Sequence, residues 1–316
     1  MRLLMMGFDG LGYSPARLSE IGQLLELRTL YAPVAVTGPS WTSLYTGLTL
    51  KQHGVKEAWG RPQGGHRTLQ QNAQHLFWRR LKQALNMRVS LCFLPLVKPE
   101  WAGADICVEG FPIDKRQHGP RIIPKTLTYG GDLLAKTDIM YWPGSSAQPA
   151  QWAQPLRKRY TVEEMEVRVR NGCFRELEWW LKNGVDGIDF GFIGFMVPDH
   201  PAHVWPWQWA DTLLPLIAEV IECAMEHLQP QTTMIVSDHG FCMDGTGHTH
   251  AGVFGFDGLS YVPPTRANAL HNWSVPTLVF KELGLETELK RKKPKELSEG
   301  ELKHINHRLK ELGYIE

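Results

Sequence analysis

No stretch of this 316-residue chain approaches the length of an apolar membrane span, and no charge of one sign dominates it. Its 34 basic residues stand against 33 acidic ones, a formal net charge of +1. The first absence argues against a membrane partner. The second leaves no general field to draw the chain to nucleic acid or an anionic surface, so the expected partner is a small molecule, not a duplex. Cysteine is scarce: Cys92, Cys107, Cys173, Cys223 and Cys242 are scattered and lack any CxxC spacing. That pattern excludes a zinc clip or a redox pair and reads as reduced core thiols in a reducing compartment. The opening MRLLMMGFDG holds one Arg and a short apolar run that flows into an Asp-Gly turn, so it is expected to be a first strand rather than a signal peptide. A cytoplasmic protein is the expectation. Internal repeats are absent as well.

What is present is a hydrophobic content of 43%, enough for one large α/β domain or a domain with an inserted cap. LLMMGF, residues 3–8, reads as a buried parallel strand whose carboxyl end delivers Asp9 to a site. Open α/β sheets bind ligands at that edge. A helix is expected to begin near Pro39, with Trp41, Leu44 and Tyr45 at helical spacing, Gly47 as its stop and Thr37 just before its start. Residues 72–86 read as an amphipathic helix and 88–96 as the next strand. From 97 to 161 the composition shifts to Pro, Gly and Trp, which reads as an inserted cap or lid. Regular elements resume with a helix at 162–183, the strand GIDFGFIGF, a helix at 209–228, the strand TTMIV and the helix SVPTLVFKELG. The expected division is therefore a catalytic core of residues 1–96 and 162–286, a cap of 97–161 and a tail of 287–316.

Three expected strand ends terminate in an acid or in an acid with histidine: Asp9, then Asp199 with His203, then Asp238 with His239. Carboxylate and imidazole together suit a borderline cation such as zinc. The four-residue spacing of Asp199 and His203 puts both on one face of a helical turn, while His200 points elsewhere. GHTHAG, shortly after Asp238, offers His248 or His250 as a further nitrogen ligand. Two ions about 4 Å apart would clamp the attacking and leaving oxygens of an in-line displacement at phosphorus. The expected nucleophile is Thr37, where a helix N-terminus and a cation both favour the alkoxide. Ser40, Thr42 and Ser43 are nearby hydroxyls, of which helix geometry turns Thr42 and Ser43 away.

These residues resemble the type I phosphodiesterase/nucleotide pyrophosphatase branch of the alkaline phosphatase superfamily. The resemblance is carried by Asp9, by Thr37 before Pro39, by Thr46-Gly47 and His53-Gly54, by the D-x-x-x-H of Asp199 and His203, by the DHG of Asp238, His239 and Gly240, and by a late His. It implies an alkaline-phosphatase-like three-layer α/β sandwich around a mainly parallel sheet, with two zinc ions and manganese as the substitute. By that resemblance Asp9, Thr37, Asp238 and His239 form one metal site, and Asp199, His203 and the late His form the other. His248 fits the late position best, with His250 as the alternative. The implied reaction is hydrolysis of a small phosphodiester or a nucleotide through a phosphothreonine on Thr37.

Two departures from the family pattern stand out. No Asn lies between His53 and Gly60, so Lys56 or a backbone donor has to hold the phosphoryl oxygen, and Leu50 replaces a usual Pro. His53 is expected to order its loop by hydrogen bonding. Trp101, Trp142 and Trp152 offer faces on which a base or an aryl leaving group can stack. Two alternatives stay open: a phosphomonoesterase or phosphonate hydrolase on the same metal pair, and a non-catalytic ligand-binding member of the fold. A sulfatase is disfavoured, because Thr stands where a formylglycine precursor would be Cys or Ser.

Overall fold

The run LLMMGF contains no polar side chain and is buried at every position, as a strand covered on both faces requires. It forms β1 (Leu3–Phe8), near the middle of a large sheet. The computed structural model describes residues 1–14, 17–55, 69–110, 121–127, 159–204, 209–241, 247–261 and 270–285. After β1 come α1 (Ser19–Leu24), β2 (Glu26–Tyr31), α2 (Thr37–Thr46), α3 (Leu50–His53), α4 (Phe77–Leu85) and β3 (Val89–Cys92). Next are α5 (Pro99–Ala102), β4 (Ile106–Val108), β5 (Ile122–Ile123) and the long α6 (Val162–Asn183). Then follow β6 (Phe190–Phe195), α7 (Asp199–Val204), α8 (Trp209–Leu228) and β7 (Thr232–Val236). A short pair, β8 (Gly240–Phe241) and β9 (His248–Thr249), leads to β10 (Ala251–Asp257), β11 (Leu270–His271) and α9 (Val275–Glu282).

The strand order is β11-β2-β10-β7-β1-β6-β3-β4-β5. Strands β7, β1, β6, β3 and β4 run parallel, β10 lies antiparallel between β7 and β2, and β5 is antiparallel at the edge. Side chains alternate across the sheet, so β1 feeds two cores. Leu3 and Met5 pack with Trp41 and Tyr45 of α2, Phe77 and Trp78 of α4, and Val279 and Phe280 of α9. Leu4, Met6 and Phe8 pack with Ile21 of α1, Val169 and Trp180 of α6, and Ile217 and Ile221 of α8. Helices thus cover both faces, giving the three-layer α/β sandwich that the sequence leads one to expect. Among the described residues, no helix is long and apolar enough to cross a membrane.

Local chemistry explains several boundaries. Helix α6 opens with a reciprocal capping box, in which the Thr161 side chain accepts from Glu164 N–H and the Glu164 carboxylate accepts from Thr161 N–H. Gly47, in the left-handed region at φ 65°, ends α2. Gly7 on β1 allows α2 to lie close, since a Cβ there would stand 2.6 Å from the Trp41 ring. The strand expected at 88–96 stops at Cys92, because Phe93 and Leu96 adopt φ of 59° and 65°. Of the expected cap, residues 97–110, 121–127 and 159–161 are described, and the first two stretches add α5, β4 and β5 to the sheet's edge. Trp101 lies on α5 against the core. The rest of the expected cap, with Trp142 and Trp152, the tail from 287, Lys56 and Cys242 lie outside the described residues. Cys92, Cys107 and Cys173 are buried free thiols.

Candidate metal centre

Three carboxylates leave the sheet side by side. β1 is flanked by β6 and β7, both parallel, with Phe8 opposite Phe195 and Gly7 opposite Val236. The residues that follow these strands are Asp9, Asp199 (after the cis Val197–Pro198 bond) and Asp238. Backbone bonds lock the edge: Asp9 N–H donates to Phe195 O at 2.9 Å, and Asp199 N–H donates to Asp9 O at 2.9 Å. Gly10 makes the crossing possible. Its φ is +78°, and a Cβ there would stand 2.8 Å from the Asp199 Cβ, so only glycine fits without displacement.

Imidazoles complete the cluster. His203, one turn along α7, brings Nε2 to 3.4 Å from Asp199 Oδ2. His248, on β9, is delivered by the β8–β9 pairing and brings Nε2 to 2.9 Å from Asp199 Oδ1 and 3.2 Å from His203 Nε2. His239 Nε2 lies 3.4 Å from Asp9 Oδ1 and 3.3 Å from Asp238 Oδ2. The rings of His239 and His248 stack at 4.1 Å, and Phe241 meets His203 and His248 edge-on. Backbone carbonyls set two tautomers. His239 Nδ1–H donates to Gly240 O at 3.1 Å and His248 Nδ1–H to Ala35 O at 2.9 Å, which turns both Nε2 atoms towards the carboxylates. The other two histidines of these motifs, His250 and His200, lie elsewhere. His250 donates through Nδ1 to Ala32 O at 2.7 Å and stacks on Tyr31, and His200 is buried but belongs to neither ligand group.

The donor chemistry fits a cation. Asp9, Asp199 and Asp238 are at most 1% exposed, yet Asp238 Oδ2 accepts no hydrogen bond. A buried anionic oxygen without a donor is costly unless a positive charge stands nearby. Burial, reinforced by the neighbouring carboxylates, holds Asp9 well above the usual carboxylate range, and burial does the same to Asp238. Burial also acts to raise Asp199, but His203 and His248 outweigh it and hold that carboxyl low. For His248, burial is opposed by the charge of Asp199, and the imidazole ends above its ordinary value. For His239, burial outweighs the charge of Asp199 and depresses the imidazole to about 3, so it stays neutral. Among the described residues, two groups have ligand atoms all within 4.8 Å of one another: Asp199, His203 and His248, and Asp9, Asp199 and His239. Asp199 belongs to both, whereas the family resemblance would place it wholly in one.

Thr37 opens α2 directly, with Val36 as the cap, where the sequence leads one to expect it just outside. Its hydroxyl lies 3.4 Å from each Asp9 carboxylate oxygen and 3.4 Å from His239 Nε2. The other hydroxyls of this turn are taken. Ser40 donates to the Asp238 carbonyl, Thr42 donates to Gly38 O at 2.7 Å, and Ser43 pairs with His53 Nε2 at 3.0 Å. His53 Nδ1 in turn accepts Val55 N–H at 3.0 Å, which orders the loop after α3. Asn272, which carries no motif in the sequence, also joins the site's frame. Its Nδ2 donates to Ser40 O and Ser40 Oγ, tying α2 to the turn before α9.

Comparison with known proteins places this geometry. The profile of the type I phosphodiesterase / nucleotide pyrophosphatase family matches residues 25–243. That stretch is more than two thirds of the chain and holds Thr37, Asp199, His203, Asp238 and His239, while Asp9 and His248 lie outside it and join the cluster only through the fold. No curated protein matches the sequence. The PsFucS1 sulfatase from Pseudoalteromonas sp. is similar over 91% of this chain and 68% of its own, at 11% identity and a TM-score of 0.53. BT1596, a 2-O GAG sulfatase, is similar over 94% and 76%, at 10% identity and a TM-score of 0.52. At that identity the likeness speaks to the fold alone, the alkaline-phosphatase-like sandwich. Sequence match and architecture converge: the chain belongs to the type I phosphodiesterase/nucleotide pyrophosphatase family.

Proposed function

We propose that the protein is a metal-dependent phosphodiesterase that hydrolyses a small diester or a nucleotide through a covalent intermediate on Thr37. The observation that carries this reading is the Thr37 hydroxyl, seated at the N-terminus of α2 and 3.4 Å from Asp9 and His239. In this reading Asp9, Asp238 and His239 hold one ion beside Thr37, and Asp199, His203 and His248 hold a second, with Asp199 near both. Two zinc ions, or manganese in their place, would supply charge to neutralise the phosphoryl oxygens and lower the pKa of a hydroxyl.

The chain's own groups account for the rest. Thr37 Oγ attacks phosphorus, the bond from phosphorus to the leaving oxygen breaks, and the proton given up by the hydroxyl is carried off by that oxygen, which departs as an alcohol. The N–H groups of Thr37 and Gly38 at the start of α2 favour the anionic phosphoryl group where it becomes attached. Water then cleaves the Thr37 ester, releasing the monoester and restoring the hydroxyl. Burial of the flanking residues keeps bulk water away from the cluster and strengthens each charge interaction. The Thr at this position also separates the reading from sulfate ester hydrolysis, whatever the fold has in common with sulfatases.

The test is turnover of bis-p-nitrophenyl phosphate against p-nitrophenyl phosphate, with zinc or manganese added and with an EDTA control. A metal-dependent preference for the diester is expected. A preference for the monoester makes the protein a phosphatase on the same scaffold, and silence on both with metal present favours a non-catalytic binding role.

A further inference from the structure

Asn272 stands on the turn between β11 and α9, belongs to no motif of the sequence and is 1% exposed. Its Nδ2 donates to Ser40 O at 3.2 Å and to Ser40 Oγ at 2.9 Å. A carbonyl only accepts, so the contact to Ser40 O settles which end of the amide is nitrogen, and both amide protons are committed to Ser40. Oδ1 is buried and accepts no hydrogen bond among the described residues. A buried acceptor left in that state costs stability, and an apolar side chain of the same size would avoid the cost. The amide is therefore retained for what its nitrogen does.

That nitrogen fixes the direction of a hydroxyl. Because Asn272 donates to Ser40 Oγ, the proton of Ser40 itself goes to the Asp238 carbonyl. The carbonyl belongs to the planar peptide that joins Asp238 to His239, so a rotation of this unit would swing two successive side chains of the metal centre at once. Ser40 is tied equally to the nucleophile, since it shares the first turn of α2 with Thr37 and its N–H donates to Val36 O at 3.0 Å. We propose that Asn272 is a positioning residue of the metal centre, acting through Ser40 to set the Asp238–His239 peptide against the turn that carries Thr37. The assignment rests on the metal-dependent reading above and adds to it a residue that touches neither a ligand side chain nor the nucleophile. Removing such a support from metal ligands weakens the metal by about ten- to a hundredfold.

The experiment is titration of the chelator-treated full chain with cobalt(II), read by the visible absorption of the bound ion, with a thermal midpoint for each variant. Asn272→Leu keeps the volume and removes the two donors, and Ser40→Ala removes the hydroxyl should the first variant fail to fold. Each is expected to weaken cobalt binding about tenfold or more. Val279→Ala, a truncation in the apolar core on α9, should lower the thermal midpoint and leave the affinity within about twofold of the parent's. Parental affinity in a folded Asn272→Leu or Ser40→Ala would overturn the proposal and leave the metal reading standing. An equal loss in Val279→Ala would also overturn it, by reducing Asn272 to scaffold. A parent that binds no cobalt would overturn the metal reading itself, and the proposal with it.

Discussion

Asp199 belongs to both ligand groups, with His203 on one carboxylate oxygen and His248 on the other. Its partners answer a question the sequence leaves open, since GHTHAG holds two histidines in nearly equivalent positions. The side chain of His248 reaches the cluster, and that of His250 is engaged by Ala32 and Tyr31. His248→Ala should therefore lose one equivalent of bound metal and reduce turnover by at least a hundredfold, whereas His250→Ala should retain the metal and most of its activity. Metal analysis of the two purified variants beside turnover checks this, and the opposite ranking would exchange their roles. The acid and acid-His residues were legible in the sequence because each stands at or a few residues beyond the end of an apolar strand. Asn272 and the Ser40 contact to Asp238 were not, because they arise from segments more than 190 residues apart that only the fold brings together.

At the scale of elements, α2 and α3 act as one unit held by His53, which pairs with Ser43 of α2 and accepts Val55 N–H. Burial depresses the pKa of His53 from 6.5 to about 3, so the native state binds its proton less readily than the unfolded chain. Its contribution to stability is complete above pH 6.5 and declines as the pH falls towards 3, by about 1.4 kcal/mol per pH unit. Against this slope, His53→Gln should be less stable than the parent at pH 7.5 and approach or overtake it by pH 4. Urea unfolding across that range measures the difference, and parallel curves would contradict the assignment. Periodicity revealed the helices at 162–183 and 209–228 to the residue, because each has a continuous apolar face. Where it overran, at 88–96, apolar residues leave the strand through positive φ, and the strands at 106–108 and 122–123 are only three and two residues long. Such segments are too brief to show a period.

For the whole molecule, the decisive feature is that three buried carboxylates meet at one edge of a sheet whose two faces are both closed by helices. Without a cation their charges oppose one another within the native state. A bound ion at a thousandfold excess over its dissociation constant stabilises by about 4 kcal/mol. Chelation should accordingly lower the thermal midpoint by several degrees, with recovery on adding zinc or manganese; an unchanged midpoint by calorimetry would mean that the cluster binds no structural ion. The fold class was readable from alternating strands and helices, and the parallel centre followed from apolar runs without alternation. The antiparallel insertion of β10 between β7 and β2 was not readable, because strand order is not written in local pattern.

The account turns on Thr37. Rapid acid quench of the metal-loaded protein with bis-p-nitrophenyl phosphate, followed by peptide mass analysis, tests it most directly. The prediction is an aryl phosphate ester on the peptide containing Thr37, absent in Thr37→Ala, which should bind metal and fail to turn over. Full turnover by Thr37→Ala, or an adduct on any other side chain, would contradict it.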